Sequence, residues 1–348
     1  YWDESHYYSL TEKNVEVLHE ATFELNKIIL DTALYVISTD KFFDLGIPEF
    51  VIQHIEKTWN ENSTHLLKRL DLAYNGKNYP KLIEINADTP GTLVETALIQ
   101  WLWRDEVFPG KLQFNTLEQD LLNKFESLKE YYYESCLYFA SSNEEEDKII
   151  VSYLANLATK SSIGTQVLLM EDIGWNEENK TLVDLDEYSI EHIYKFYPWE
   201  WMIKEDFGKL ALDSISNNDT CWIEPIYNML FNKGILPLLW DRFPGHKNLL
   251  KTFDNKDNMT SYCKKPFFSR AGKNVTIVKN NNIVEETTGN CGAEGYIYQE
   301  LFDFEKDCNI PIFGSWIIDG QPCGIGILES NSEITTEDNC RFIPHIIE

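Results

Sequence analysis

Apolar residues recur at helical spacing from residue 11 to about residue 40, through Val15, Leu18, Ala21, Leu25, Ile28, Ile29, Ala33 and Val36. Thr11, with Asn14 and Glu16 behind it, supplies the start of that helix. A second helix is predicted over 48–59, with Pro48 in its first turn. The spacing then switches to alternation over 66–88, broken by Asn75-Gly76, which predicts a β-hairpin. A turn at Thr89-Pro90-Gly91-Thr92 leads into a helix over 93–103, and a long amphipathic helix is predicted over 117–139. An acidic loop over 141–147 follows. From 148 the pattern reads strand (148–153), helix to about 162, strand (166–170), a short strand near 183–185 and an aromatic strand over 193–202. A loop and helix cover 232–240, strands 261–266 and 275–278 bracket a small-residue turn, and 296–301 reads as a strand. The last hairpin pairs 312–318 with 323–328 around Asp319-Gly320. No internal repeat, low-complexity tract or flexible linker is visible, so sub-domains are expected to pack closely.

Residues two apart in a strand share a face, so Arg69 points with Asp71, and Glu84 with Asn86. With Asn75–Asn78 as the loop, Arg69 lies opposite Glu84; a shifted register sets Asp71 opposite Glu84. In either register one face carries a guanidinium, two carboxylates and a carboxamide. These are hard oxygen ligands suited to Mg²⁺, with an arginine beside them for phosphate. The alternative is a salt-bridged solvent face. A helix starting at the following turn would add free N–H groups for an anionic substrate.

The chain has 348 residues and 40.6 kDa, enough for a large core or two to three sub-domains. Its net charge of −27 argues against nucleic-acid backbones and anionic membranes as partners and is compatible with a cationic substrate such as a polyamine. The seven cysteines show no CxxC or CxxH spacing and read as reduced cytosolic thiols. No apolar run reaches the length of a membrane span. The first residue is Tyr1, so a preceding segment is expected to be missing or removed.

Further candidates lie downstream. The run from Lys264 to Val275 pairs strand lysines with the turn Ser269-Arg270-Ala271-Gly272-Lys273-Asn274, whose backbone N–H groups could cradle phosphate. It is neither a Walker A loop nor GxGxxG, and a surface hairpin is the alternative. Gln299-Glu300 at the end of an apolar strand could face an adenine edge. Glu200 is a carboxylate among aromatics, with a paired core-edge glutamate as the plain reading.

Together these stretches resemble the glutathionylspermidine synthase family, in its stand-alone synthetase-like branch. The resemblance is carried by Tyr1-Trp2-Asp3-Glu4-Ser5, Arg69-x-Asp71, Glu84-x-Asn86-Ala87-Asp88-Thr89-Pro90 and Met170-Glu171-Asp172-Ile173-Gly174-Trp175. It continues through Tyr197-Pro198-Trp199-Glu200-Trp201, Asn232-Lys233-x-x-Leu236-Pro237, Phe243-Pro244-Gly245-His246, Lys265-Pro266, Arg270-x-Gly272-x-Asn274, Tyr298-Gln299-Glu300-Leu301 and Gly314-Ser315-Trp316. It implies an α+β chain of ATP-grasp fold, the circularly permuted glutathione-synthetase-like type, with mixed sheets flanked by helices. It implies one synthetase unit over 1–348, with a pre-ATP-grasp and metal-binding hairpin part (1–147), a substrate part (148–222) and a nucleotide-binding part (223–348). The implied activity is amide formation from a carboxylate and an amine through an acylphosphate, with ATP and Mg²⁺.

The implied roles follow by position. Asp71, Glu84 and Asn86 hold Mg²⁺, and Arg69 stabilises the transferring phosphoryl group. Lys233 and Lys265 bind phosphate, Arg270 and Gly272 lie in the nucleotide loop, and Gln299, Glu300 and Leu301 lie against adenine. Thr89 and Gly91 stand where glutathione binds, and Glu145 and Glu146 match a carboxylate pair near the peptide and polyamine sites. The implied substrates are a glutathione-like or peptide carboxylate and a polyamine or other amine. Three departures bear on substrate identity: Leu328 stands where an arginine is usual, Gly91 replaces a hydroxyl residue, and the stretch from Glu224 to Lys233 is one residue short. No amidase domain is present, so no hydrolysis of the conjugate is expected. A nucleotide-binding protein that has lost turnover is the second reading.

Overall fold

The computed structural model describes residues 1–132, 135–304 and 309–348. The predicted first helix spans Glu12–Ser38, capped by a reciprocal pair in which the Asn14 N–H donates to Thr11 Oγ1 and the Thr11 N–H to Asn14 Oδ1. Its apolar stripe, Leu18, Leu25, Ile29, Ala33 and Val36, is fully buried. The second helix runs Glu49–Asn60 with Pro48 as its N-cap.

A five-stranded antiparallel central sheet organises the molecule. Its order is Cys340–Ile343, Gln321–Ser330, Ile310–Ile318, Lys68–Ala73, Lys81–Asn86. It therefore joins the predicted hairpin of 66–88 to the last hairpin, more than 200 residues downstream. A second sheet is parallel throughout, in the order Gly164–Leu169, Cys136–Ser141, His192–Phe196, Cys221–Ile223. Helix Glu145–Lys160 makes the crossover between its first two strands in sequence. A third, antiparallel sheet carries Thr252–Phe253, Tyr296–Gln299, Tyr262–Pro266, Thr276–Lys279 and Asn282–Glu286. No described helix is long and apolar enough to cross a membrane.

Several predicted elements are corrected. The helix over 117–139 ends at Leu128, and Cys136–Ser141 is a buried strand. A strand of a parallel sheet is apolar on both faces, so Cys-Leu-Tyr-Phe-Ala-Ser offers no two-residue alternation to distinguish it from helix. The predicted strand 148–153 lies inside helix Glu145–Lys160, whose first turn also absorbs the end of the acidic loop. Three acids in the first turn and Lys160 in the last match the helix dipole, and Ile150, Val151, Leu154, Ala155, Leu157 and Ala158 form one buried face. The local run of Ile and Val hides that period. The aromatic strand stops at Phe196, and Pro198 caps a one-turn helix, Trp199–Met202. Helix 93–103 opens with a wide π-type turn, Glu95–Ile99, and becomes regular over Gln100–Val107.

Candidate functional site

The first hairpin sets the site, and of the two expected registers it takes the shifted one. Arg69 lies opposite Asn86, and Asp71 opposite Glu84. The ladder begins at Ala73–Lys81, so the connection is 74–80. Ile83 is then bulged out between the Leu72–Leu82 and Asp71–Glu84 pairs. The bulge reverses the parity of the strand. Leu82 stays with Leu72 in the core, and Glu84, two residues on, joins Asp71 on the opposite face.

That face is tightly paired. Arg69 grips Asp71 bidentately, Nε to Oδ1 at 2.6 Å and Nη2 to Oδ2 at 3.0 Å. Its Nη1 donates to the Gly91 carbonyl at 2.6 Å and to Thr92 Oγ1 at 3.3 Å. Asn86 Nδ2 donates to Asp71 Oδ2 at 3.0 Å. Lys233 Nζ meets Glu84 Oε2 at 2.9 Å and the Ser269 carbonyl at 2.7 Å. Lys265 is buried in the third sheet, and its Nζ donates to Gln299 Oε1 at 2.8 Å and to the carbonyl of the bulged Ile83 at 3.3 Å. Gln299 Nε2 donates to the Leu82 carbonyl at 3.3 Å. The bulge thus joins the carboxylate face to the lysine sheet.

Burial alone would raise the Glu84 carboxyl, but the ammoniums of Lys233 and Lys265, with Arg69, outweigh it and bring it down to about 2. Burial pushes the Asp71 carboxyl up, against the pull of Arg69 and with the help of Glu84. Burial lowers the Lys265 ammonium, with Glu84 opposing.

The other predicted residues divide. Arg270 Nη2 reaches the Thr89 carbonyl at 3.5 Å, and its guanidinium lies 5.5 Å from the Trp201 ring. Arg270, Thr89, Asn86 and Lys233 line one cleft together with Glu200 and Asp88. Burial raises the Glu200 carboxyl, with Arg270 opposing. Gly272 has φ +66°, and a Cβ there would lie 2.5 Å from the Thr335 carbonyl, so only glycine lets the two loops close. Glu146 approaches Gly91: a Cβ on Gly91 would lie 3.9 Å from Glu146 Oε1. Glu145 is exposed and pairs with Lys148 at 2.5 Å. Glu300 turns to Lys251, its N–H donating to that residue's carbonyl at 2.7 Å. Leu301 packs on Cys263, Val275, Ile277 and Ile334. Leu328 is half-buried between Ile312 and Phe342 on neighbouring strands.

Three groups near the site escaped the sequence reading. Glu95 stands at the start of the helix after the 89–92 turn, and burial raises its carboxyl. Glu224 is fully buried and accepts the N–H groups of Leu66 and Leu67 at 3.1 Å each. Lys195 is fully buried against Asp88. Only the last left a trace: a lone lysine inside the apolar run Ile193-Tyr194-Lys195-Phe196.

Two observations bear on which groups this site could hold. Thr89 Oγ1 and Asn228 Oδ1 are buried polar atoms without a hydrogen-bond partner, and both residues line the cleft. Asn86 spends its Nδ2 on Asp71, which leaves its Oδ1 as a third hard oxygen beside the two carboxylates. Among the described residues no group of three or more His, Cys, Asp or Glu is placed to hold a metal, so such a site would rest on two carboxylates, an amide oxygen and ligands from outside the chain.

A sequence model of the family described as "Glutathionylspermidine synthase preATP-grasp" matches residues 1–348. A Haemophilus influenzae protein named as an acid–amine ligase is 33% identical over 361 residues, covering 99% of this chain and 90% of that protein. The trypanothione synthetase of Crithidia fasciculata is 27% identical over 91% of this chain, and the bifunctional glutathionylspermidine synthetase/amidase of Escherichia coli is 25% identical over 87%. The matched region makes up 53% of each of those two proteins. The crystal structure of a Methylobacillus flagellatus protein named as a gamma-glutamylcysteine synthetase superposes with a TM-score of 0.51, covering 94% of this chain and 88% of that one at 10% identity, a likeness of fold. Fold and matches define an ATP-dependent carboxylate–amine ligase. The chain belongs to the glutathionylspermidine synthase family.

Proposed function

We propose that this ligase activates a peptide-type carboxylate, such as that of a glutathione-like thiol peptide, and joins it to a polyamine or another amine. One observation carries the assignment of roles: Arg69, Asp71, Glu84 and Asn86 share one face, and Lys233 reaches Glu84 from another element. A carboxylate oxygen attacks the γ-phosphorus, ADP leaves, and an acylphosphate forms. The amine nitrogen then attacks the acyl carbon, phosphate leaves, and the ammonium loses a proton to give the amide. Arg69 would neutralise charge on the transferring phosphoryl group, a role that needs its planar fork. Lys233 and Lys265 would take phosphate oxygens, Arg270 and Gly272 would close over the nucleotide, and the 299–301 segment would meet the adenine. Asp71, Glu84 and Asn86 would hold Mg²⁺, which would supply positive charge against the nucleotide phosphates. Thr89 and Gly91 would take the acyl substrate, and Glu146, beside Gly91, the cationic amine; Glu145 keeps its role only if its pair with Lys148 opens.

The same reading assigns the permuted ATP-grasp arrangement, with functional parts at 1–147, 148–222 and 223–348. It also places the protein in the cytoplasm, supported by six free thiols among the described residues; Cys308 lies outside them. Nucleotide binding with and without Mg²⁺, on wild type and Glu84→Ala, tests the site. The variant is expected to lose the Mg²⁺-dependent part of its affinity; an unchanged dependence would remove Glu84 from the metal.

Leu328, in the place of a family arginine, favours a second reading in which nucleotide is bound without turnover. ADP release with glutathione, short peptides and a panel of amines separates the two, since the second reading predicts none.

A further inference from the structure

The loop 87–92 carries the groups that aim the site's two arginines. The Gly91 carbonyl and Thr92 Oγ1 fix Arg69, and the Thr89 carbonyl meets Arg270. The loop is also strained. Thr92 has φ +65°, a left-handed conformation that a β-branched residue adopts only when its surroundings impose it. The start of the loop is held from the parallel sheet. Lys195, fully buried in strand His192–Phe196, donates from Nζ to Asp88 Oδ1 at 2.5 Å and to the Tyr197 carbonyl at 2.9 Å. Asp88 Oδ2 accepts the Trp199 N–H at 2.8 Å, so both oxygens of Asp88 are taken. One residue earlier, Asn228 Nδ2 holds the Ala87 carbonyl at 2.8 Å and Glu224 Oε2 at 2.9 Å, and Trp199 Nε1 holds the Glu224 carbonyl at 2.8 Å.

A buried ion pair is a costly way to gain stability, because desolvation offsets most of the attraction. Two long-range contacts with fixed direction are, however, an effective way to hold a strained backbone. We infer that Lys195 and Asp88 are positioning residues: they clamp the 87–92 loop so that its carbonyls hold Arg69 and Arg270 in place for phosphoryl transfer. This rests on the ligase reading of the site. The clamp touches no reacting atom in that reading, and its effect on rate passes through the two arginines.

The test compares wild type, Asp88→Asn and Asp88→Asn/Lys195→Met, at a temperature where circular dichroism shows each folded. Asp88→Asn leaves a buried ammonium without its counter-charge and is expected to lower Tm. The double variant removes that charge and is expected to recover most of the Tm. It is not expected to recover turnover: kcat for ADP release stays about 100-fold down, with the dissociation constant for ATP within about threefold of wild type. Hydrogen exchange of the 87–94 amides rises in the double variant, and that of the Ile310–Ile318 strand does not. A double variant with wild-type kcat, or with wild-type exchange in 87–94, overturns the clamp. If the wild type releases no ADP with any substrate pair, the ligase reading fails, and the clamp is judged on exchange alone.

Discussion

Arg69 is the residue on which the proposed chemistry turns, and its five N–H donors explain why. Four are committed to Asp71, Gly91 and Thr92 in directions only a rigid fork can serve together. Arg69→Met is expected to lower kcat for ADP release by about 10³-fold or more, with nucleotide affinity largely kept, because the lost stabilisation belongs to the transition state. Steady-state turnover with direct nucleotide titration reads both. Lys68, the preceding residue, faces the other way and does the opposite. It is buried above the Phe231 ring at 4.7 Å, and burial brings its ammonium down from 10.5 to about 8, with Glu224 opposing. A lysine whose folded value is the lower one reduces stability below pH 8, and that cost fades as pH rises towards 10.5. Lys68→Met should therefore raise the unfolding free energy at pH 7 by on the order of 2 kcal/mol. Chemical denaturation at pH 7 and pH 10 checks both the gain and its disappearance.

The hairpin and the strand beside it act as one element. Gly314 lies opposite Asp71, and a Cβ there would come within 2.8 Å of Arg69 Cδ. The arginine side chain thus runs across a strand that must carry no side chain at that point. Gly314→Ala should shift the guanidinium and lower kcat by about tenfold or more, with the far-ultraviolet spectrum unchanged. An alanine variant with wild-type kcat would show that the stem can move aside freely. The alternation over 66–88 and the Asn75-Gly76 signal made this hairpin legible before its structure. The choice between its two expected registers was not legible, because a bulge leaves no mark in composition. Ile83 is as apolar as its neighbours, and the carbonyl of this extra residue is taken by Lys265 from another sheet.

At the scale of the whole molecule, the net charge of −27 coexists with a site rich in cations. Arg69, Lys233 and the pair Lys265 and Arg270 come from three separate stretches, and only tertiary packing concentrates them. The same packing makes Glu84 a source of acid sensitivity. Its folded value, about 2, lies below its ordinary 4.5, so its contribution to stability is present above pH 4.5 and is lost as pH falls towards 2. Thermal melts from pH 6 to pH 2.5 should show Glu84→Gln less stable than wild type at the upper end, with the two curves converging at the lower; a constant gap would contradict the pairing with Lys233 and Lys265. The sequence by itself determined the helices Glu12–Ser38 and Glu49–Asn60 and both hairpins of the central sheet. It also determined the family, because those follow from local periodicity and from motifs kept in one order. It misread the parallel strand Cys136–Ser141 as helix, since an element buried on both faces carries no alternation. The tertiary structure alone decided which residues meet: the bulge that turns Glu84 towards Asp71, the approach of Glu146 to Gly91, and the buried Lys195 on Asp88. Each depends on backbone from distant parts of the chain, and pairing energies of that kind are not written in the spacing of neighbours.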